Sequence, residues 1–126
     1  MSATILIVDD EEAIPLLIRE FLADEKGFLI EQARSAEAGL GLMKSLAPDL
    51  CMVDISLPGM DGNTFIEKAL AVRPSCKMII HTGSLDYTIP PALKQLGIRA
   101  DSVLFKPVLQ LQQYADKFKE LLELPG

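Results

Sequence analysis

Short apolar runs alternate with amphipathic segments along the whole chain. Five runs have the length and composition of strands, at residues 4–8, 28–33, 50–54, 77–81 and 102–105. After each run, apolar residues recur at spacings of three and four, which predicts helices. Strands that alternate with helices indicate a parallel sheet with right-handed crossovers. The pattern therefore predicts one doubly wound, five-stranded α/β domain with helices on both faces of the sheet.

The predicted helices differ in how clearly their buried faces are marked. The expected core positions are Ile14, Leu17, Ile18, Phe21 and Leu22 in the first helix, Ala38, Leu42 and Leu46 in the second, Phe65, Ile66, Ala69, Leu70 and Val72 in the third, and Val108, Leu111, Ala115, Phe118 and Leu122 in the last. The fourth helix is expected within residues 84–97, where Pro90 and Pro91 must delay or shorten it. The extra apolar residues Leu109, Tyr114, Leu121 and Leu124 leave a face open for a partner.

Polar side chains follow the apolar runs at the points where the strands end. Asp9 and Asp10 follow the first run, Asp54 ends the third, His81 and Thr82 end the fourth, and Lys106 follows the fifth. The carboxyl ends of parallel strands meet at one edge of a sheet, where open α/β sheets bind ligands. Carboxylates gathered there repel one another unless a cation lies among them, and a hard divalent cation takes oxygen ligands. The pattern predicts a divalent-metal and phosphoryl-group site.

Each of these side chains has a chemical role that suits its type. A carboxylate such as Asp54 can accept a phosphoryl group as an acyl phosphate. Asp9 and Asp10 can hold Mg²⁺, one directly and one through water, although both could simply cap a helix. Thr82 can donate to a phosphoryl oxygen, and Lys106 can pair with Asp54 or with that oxygen. His81 is expected to pack or hydrogen-bond near the sheet end.

Composition narrows the function classes. The chain has 126 residues, the length of one domain, with 49% hydrophobic and 24% charged residues, as in soluble globular proteins. It has no apolar stretch of the ~20 residues that a membrane helix needs. The net charge of −6, without a basic patch, argues against nucleic-acid binding. Cys51 and Cys76 form no disulfide framework or metal-ligand pattern, so a reducing, cytoplasmic location is expected.

Four segments together resemble the receiver domain of bacterial two-component response regulators. They are residues 5–11, residues 53–62, Thr82 with Gly83, and residues 105–107, and the likeness covers essentially the whole chain. The resemblance implies a flavodoxin-like fold with strand order 2-1-3-4-5. It also implies Mg²⁺-dependent transfer of a phosphoryl group to Asp54 from the phosphohistidine of a sensor histidine kinase or a phosphotransfer protein.

The same resemblance assigns the remaining site residues and the output. Asp10 would be the direct metal ligand, Asp9 the more distant one, and the backbone carbonyl of Ser56 a further ligand. Thr82 and Lys106 would sense the phosphoryl group.

The domain, residues 1–126 without an output domain, would be a signalling module rather than an enzyme, although it assists its own phosphorylation and dephosphorylation. The surface of residues 84–110 would report to a downstream protein, and the face of the fourth helix, fifth strand and fifth helix is a candidate for homodimer formation.

The sequence departs from the family pattern at several positions. Receivers usually carry Tyr or Phe three residues before the lysine, as the partner of the threonine, and here that position is Val103. The nearby aromatic residue, Phe105, is adjacent to Lys106 and is expected on the opposite face of the strand. Ser56 and Ser84 occupy the positions that tune phosphoryl lifetime in the family. These departures place the usual threonine–aromatic coupling in question.

Three other classes of protein share parts of this pattern. A flavodoxin-like FMN carrier would share the fold, but the acids of residues 9–12 would repel a phosphate there. A phosphatase of the haloacid-dehalogenase type needs a second Asp two residues after the nucleophile, where Ser56 stands. The alternative is a receiver-like interaction module that is never phosphorylated. The departure from the family pattern at Val103 supports this alternative, whereas the complete set of site residues argues against it.

Overall fold

A five-stranded parallel sheet forms the centre of the computed structural model, which describes residues 3–23, 27–106 and 108–124. The strands are β1 (Ala3–Val8), β2 (Phe28–Ala33), β3 (Leu50–Asp54), β4 (Lys77–Thr82) and β5 (Val103–Phe105). They lie in the order β2-β1-β3-β4-β5, and each neighbouring pair is parallel. The predicted fold class and strand order are confirmed.

Helices cover both faces of this sheet. They are α1 (Ala13–Phe21), α2 (Ala36–Leu46), α3 (Gly62–Val72), α4 (Pro91–Gln95) and α5 (Gln112–Leu122), with a 3₁₀ helix at Ala100–Ser102. Alternate strand residues point to opposite faces, so the core divides into two clusters. Leu6 and Val8 pack with residues of α2, α3 and α4, whereas Ile5 and Ile7 pack with residues of α1 and α5. Within the described part of the chain, no helix is long and apolar enough to cross a membrane.

The rotation of two helices differs from the prediction. Leu17 and Phe21, expected in the core, are 48% and 40% exposed, whereas Ile18 and Leu22 are buried as predicted and Pro15 is buried as well. In α2, Ala36, Gly39 and Met43 are buried, whereas Ala38 is exposed and Leu42 and Leu46 are only partly buried. In α3, Val72 is exposed, while the other predicted positions are buried. The apolar surface of these helices is wider than the part that packs on the sheet, so residues at its margin satisfy the helical period and still remain exposed.

The segment after β4 is irregular, as the two prolines predict. Pro90 precedes α4 and Pro91 is its first residue, so this helix has only five residues. The last helix begins at Gln112, so Val108 and Leu111, which were expected within it, precede it. Pro107, part of the family-like motif, and residues 125–126 lie outside the described residues.

Tyr114 does not belong to an open partner face. Its side chain is 3% exposed in the core under α5, and its hydroxyl lies 2.8 Å from Nε2 of His81. The prediction was wrong because the polar end of tyrosine finds a hydrogen-bond partner beneath the helix, which allows the ring to be buried. Leu109 and Leu124 are 89% and 40% exposed, as that prediction requires.

Gly62, the first residue of α3, lies directly against the end of β3. A Cβ atom there would lie 2.5 Å from the Asp54 carbonyl oxygen and 2.8 Å from Cα of Ile55, both backbone atoms. A Cβ on Gly41, which is exposed in α2, would have no neighbour within 4 Å.

We expect Gly62→Ala to lower the free energy of unfolding by about 1–3 kcal/mol, because the backbone must shift to accept the methyl group. The matched variant Gly41→Ala should raise it by about 0.5–1 kcal/mol, because alanine is the better helix former. Urea denaturation measures both changes. If the two variants shift stability in the same direction, the proposed close contact at Gly62 is wrong.

Candidate functional site

Three carboxylates meet at the carboxyl edge of the sheet. Asp9 and Asp10 directly follow β1, and Asp54 is the last residue of the neighbouring β3. One oxygen from each lies within 4.8 Å of the other two. Asp9 and Asp54 are 1% and 7% exposed, whereas Asp10 is the more exposed of the three. The structure therefore brings together the acids that the sequence analysis selected.

The ammonium group of Lys106 bridges the two buried carboxylates. Its Nζ lies 3.2 Å from Oδ2 of Asp9 and 3.2 Å from Oδ2 of Asp54. The backbone N–H of Lys106 donates to the Thr82 carbonyl (2.7 Å), which fixes the residue at the end of β5. Burial alone would lower the pKa of Lys106, but attraction by Asp9 and Asp54 outweighs it, and the pKa is raised. Lys106 is therefore charged at neutral pH.

The other oxygen of each buried carboxylate is held by the backbone. Oδ1 of Asp9 accepts the N–H of Glu11, and Oδ1 of Asp54 accepts the N–H of Ser56, each at 2.9 Å. Both bonds span two residues, the pattern of an Asx turn. Each carboxylate thus has one oxygen bound to its own loop and one directed at Lys106, so both are fixed in orientation.

The donor set fits a divalent cation. Asp9, Asp10 and Asp54 contribute three negative charges and Lys106 contributes one positive charge, so the cluster carries two uncompensated negative charges. Mg²⁺ uses few protein carboxylates and keeps several waters, which suits a group with one acid facing solvent. The carbonyl of Ser56 as a further ligand remains a prediction.

One residue of β2 and one that follows it hold the acidic loop, and neither was among the predicted site residues. Nε2 of Gln32 donates to the carbonyls of Asp9 and Glu11, each at 3.0 Å. Arg34 donates to the carbonyl of Asp10 at 3.2 Å and pairs with Glu12 at 2.8 Å. Single polar residues at the end of an edge strand carry no motif. The strand order was the available signal, because it places the end of β2 beside the loop that follows β1.

Thr82 is fully buried at the end of β4 and begins the next loop. Its Oγ1 accepts the backbone N–H of Ser84 (3.1 Å), so the hydroxyl hydrogen remains available to donate elsewhere. Ser84 in turn donates from its hydroxyl to Asp86. A rotation about the Cα–Cβ bond of Thr82 moves Oγ1 and therefore breaks a bond to the loop that leads to α4.

Two aromatic residues lie near the small side chain of Val103. Phe105 and Val103 line the same cavity of about 460 Å³, together with Tyr87 and Ile89. The expectation that Phe105 lies on the opposite face is wrong, because residues two apart on a strand share a face. Phe105 is the register partner of Thr82 across β4 and β5. The hydroxyl of Tyr87 donates to Oδ1 of Asn63 in α3 (2.7 Å). Tyr87 was not among the predicted site residues.

His81 packs and hydrogen-bonds at the sheet end, as predicted. It is 1% exposed, and its ring meets that of Tyr114 edge to face at 5.3 Å between centroids. Burial, and then the charge of Lys106, lower the pKa of His81 to about 4, against a smaller opposing effect of Asp54. His81 is therefore neutral at neutral pH and serves the core rather than proton transfer.

This shift predicts a pH-dependent stability. The pKa of His81 is lower in the folded protein than the ordinary value of 6.5, so protonation favours the unfolded chain. The neutral His81 ring makes its full contribution to the free energy of unfolding above about pH 6.5. This contribution is lost as the pH falls towards about 4, which lowers the free energy of unfolding by up to about 3 kcal/mol. Urea unfolding with a chelator present should show a smaller acid-induced decline in His81→Gln than in wild type.

The matched control for His81 is Tyr114→Phe, which removes the hydrogen bond but keeps the titrating ring. Its decline between pH 7 and pH 4.5 should remain as steep as that of wild type. Equal slopes in wild type and His81→Gln would show that other groups cause the decline.

Comparison with known proteins gives the chain a family. The model of the response regulator receiver domain matches residues 5–117. A CheY-like receiver domain protein from Methanospirillum hungatei JF-1 superposes with a TM-score of 0.85 at 33% identity, covering 98% of this chain and 95% of that one. A two-component response regulator from Clostridium difficile has a TM-score of 0.82 at 27% identity, with 97% of both chains covered.

Two curated relatives differ in how much of their length is matched. Sporulation initiation phosphotransferase F of Bacillus subtilis is 27% identical over 124 residues, which cover 98% of this chain and 97% of the relative. A protein-glutamate methylesterase/protein-glutamine glutaminase of Pseudomonas aeruginosa is 30% identical over 128 residues, but this chain spans only 36% of that protein. The family match, the strand order and the acidic site agree: the chain belongs to the response regulator receiver domains of two-component systems.

Proposed function

We propose that Asp54 is the phosphoacceptor of this receiver domain and that Asp9, Asp10 and Asp54 hold the Mg²⁺ that the transfer requires. The observation that carries the proposal is the position of Lys106, whose ammonium contacts both Asp9 and Asp54 at 3.2 Å. A cation at this point offsets charge both in the unmodified site and on an incoming phosphoryl group. The phosphodonor is the phosphohistidine of a sensor histidine kinase or of a phosphotransfer protein.

The residues support an in-line transfer. A carboxylate oxygen of Asp54 forms a bond to phosphorus while the bond from phosphorus to the donor imidazole nitrogen breaks, and the electron pair of that bond stays with the imidazole. Mg²⁺, when bound, offsets the negative charge shared by the phosphoryl oxygens and the carboxylates. The N–H of Ser56 orients Asp54, and the N–H of Glu11 orients Asp9. Lys106 then pairs with a phosphoryl oxygen in place of the lost carboxylate charge.

The signal leaves the site through the loop that begins at Thr82. Rotation of the Thr82 side chain about its Cα–Cβ bond, which carries Oγ1 toward a phosphoryl oxygen, would break the bond that Oγ1 accepts from the N–H of Ser84 (3.1 Å). The surface of residues 84–110 then changes shape for a downstream protein, and the face of α4, β5 and α5 is a candidate for a homodimer. The domain acts in the cytoplasm as a signalling module, without a substrate of its own beyond the phosphodonor.

We expect Mg²⁺ and a small phosphodonor such as acetyl phosphate to add one phosphoryl group to the protein, observed by intact-protein mass spectrometry. Asp54→Asn should abolish this gain, and a chelator should prevent it in wild type. The matched control Asp101→Asn changes an exposed acid away from the site and should react as wild type does. The absence of any gain in wild type would favour the alternative, an interaction module that is not phosphorylated.

A second experiment separates the metal ligands from Lys106. Asp10→Asn should weaken Mg²⁺ binding by about tenfold or more, because affinity depends on the charge of the ligands. Lys106→Met should leave Mg²⁺ affinity unchanged or higher, because it removes a positive charge beside the cation. It should nevertheless reduce the NMR shift changes of residues 84–110 on phosphorylation. Equal losses of Mg²⁺ affinity in the two variants would contradict these roles.

A further inference from the structure

Two cysteine side chains lie close together outside the phosphoryl site. Cys51 lies within β3 and Cys76 directly precedes β4, and their Sγ atoms are 3.6 Å apart. We infer that Cys51 and Cys76 form a reversible disulfide when the protein meets a peroxide, with Cys76 as the attacking thiol and Cys51 as the resolving thiol. This modification site is independent of the phosphoacceptor role of Asp54.

The geometry brings the sulfur atoms close and leaves one of them adjustable. A disulfide requires an S–S distance of about 2.0 Å, so the two atoms must approach by about 1.6 Å more. Pairing of β3 with β4 begins at Leu50 and Lys77, so Cys76 lies outside the ladder. It belongs to a turn in which its N–H donates to the carbonyl of Arg73 (3.1 Å). Cys76 can therefore move without breaking the pairing of the two strands.

Access differs between the two thiols and sets the order of reaction. Cys76 is 4% exposed and lines a cavity of about 370 Å³ beside Pro74, Ser75 and Gly97. Cys51 is fully buried. A small oxidant that enters this cavity meets Cys76, whereas Cys51 does not line the cavity.

The electrostatics favour the same order. The hydrogen bond with Cys51 lowers the pKa of Cys76, and the charge of Arg73 adds to this lowering against the opposing effects of burial and of the charge of Asp49. The same hydrogen bond, followed by burial, raises the pKa of Cys51 well above its usual value. These two directions favour the thiolate, which is the nucleophilic form, on Cys76 rather than on Cys51.

The reaction balances with hydrogen peroxide as the oxidant. The Cys76 thiolate attacks one peroxide oxygen, the O–O bond breaks, and the products are a sulfenic acid and, after protonation, water. The sulfur of Cys51 then attacks the sulfur of Cys76, the S–O bond breaks, and the departing hydroxide takes the Cys51 proton as a second water. The two thiols lose two electrons and two hydrogen atoms, and one peroxide becomes two waters.

A third sulfur atom provides an internal comparison. Sδ of Met43 lies 3.8 Å from Sγ of Cys51, and Met43 is 1% exposed. Oxidation of Met43 would add one oxygen atom, whereas the disulfide removes two hydrogen atoms. The mass of the product therefore separates the two reactions.

The inference is tested on the full chain, reduced and then freed of reductant. Treatment with hydrogen peroxide should remove two hydrogen atoms from the intact monomer, and dithiothreitol should restore them. A non-reduced tryptic digest should contain one peptide pair joined through Cys51 and Cys76. Asp54→Asn should oxidise as wild type does, so failure of phosphorylation and failure of this reaction remain distinguishable.

Two variants test the order of attack. In Cys51→Ser, dimedone should trap a sulfenic acid on Cys76, whereas in Cys76→Ser the remaining Cys51 should stay unmodified over the same time. Circular dichroism confirms that each variant is folded, and the wild-type mass alone decides the existence of the disulfide. The inference is overturned by oxygen addition without loss of hydrogen, by a disulfide-linked dimer, or by dimedone on Cys51 in Cys76→Ser.

Discussion

The contact of one ammonium group with two buried carboxylates is the constraint on which the site depends. Asp9 and Asp54 are removed from water, and burying an ionised carboxylate is costly unless a cation and hydrogen bonds compensate it. Lys106 and the two backbone N–H groups provide that compensation. The loops after β1, β3 and β5 must therefore converge, and the strand order of the sheet is the arrangement that allows them to do so.

The ends of β1, β3 and β5 were predictable from the sequence because one rule governs these three strands. A buried parallel strand reads as a continuous apolar run, so the first polar residue after it marks the edge of the sheet. Asp9, Asp54 and Lys106 were found in this way, and the sheet places them in contact. Side chains alternate between the two faces of a sheet, and a shift of one residue in the pairing would move buried side chains to the wrong face. Once the apolar runs are recognised, little freedom is left in how the strands pair.

The helices and loops were less predictable, for different physical reasons. Leu17 and Phe21 of α1 satisfy the helical period as well as Ile18 does, so the packing partner decides which residue is buried. Tyr114 was predicted to lie on an exposed face because the spacing of apolar residues in the last helix gives no information about the hydrogen-bond partner, His81, beneath it. Gln32 and Arg34 bind backbone carbonyls of a loop, and a carbonyl has no sequence signature. Such contacts appear only when the path of the chain is known.

Because β5 is short, local opening of this strand can change the charge balance of the site. β5 has three residues and lies at the edge of the sheet, paired only with β4 among the described strands, and Lys106 follows it directly. None of its three residues is fully buried, and segments with few buried apolar contacts open locally at a low free-energy cost. Each such opening would withdraw the ammonium from Asp9 and Asp54 and leave them to repel each other. The cation occupancy of the site is therefore thermodynamically linked to fraying at one edge of the sheet.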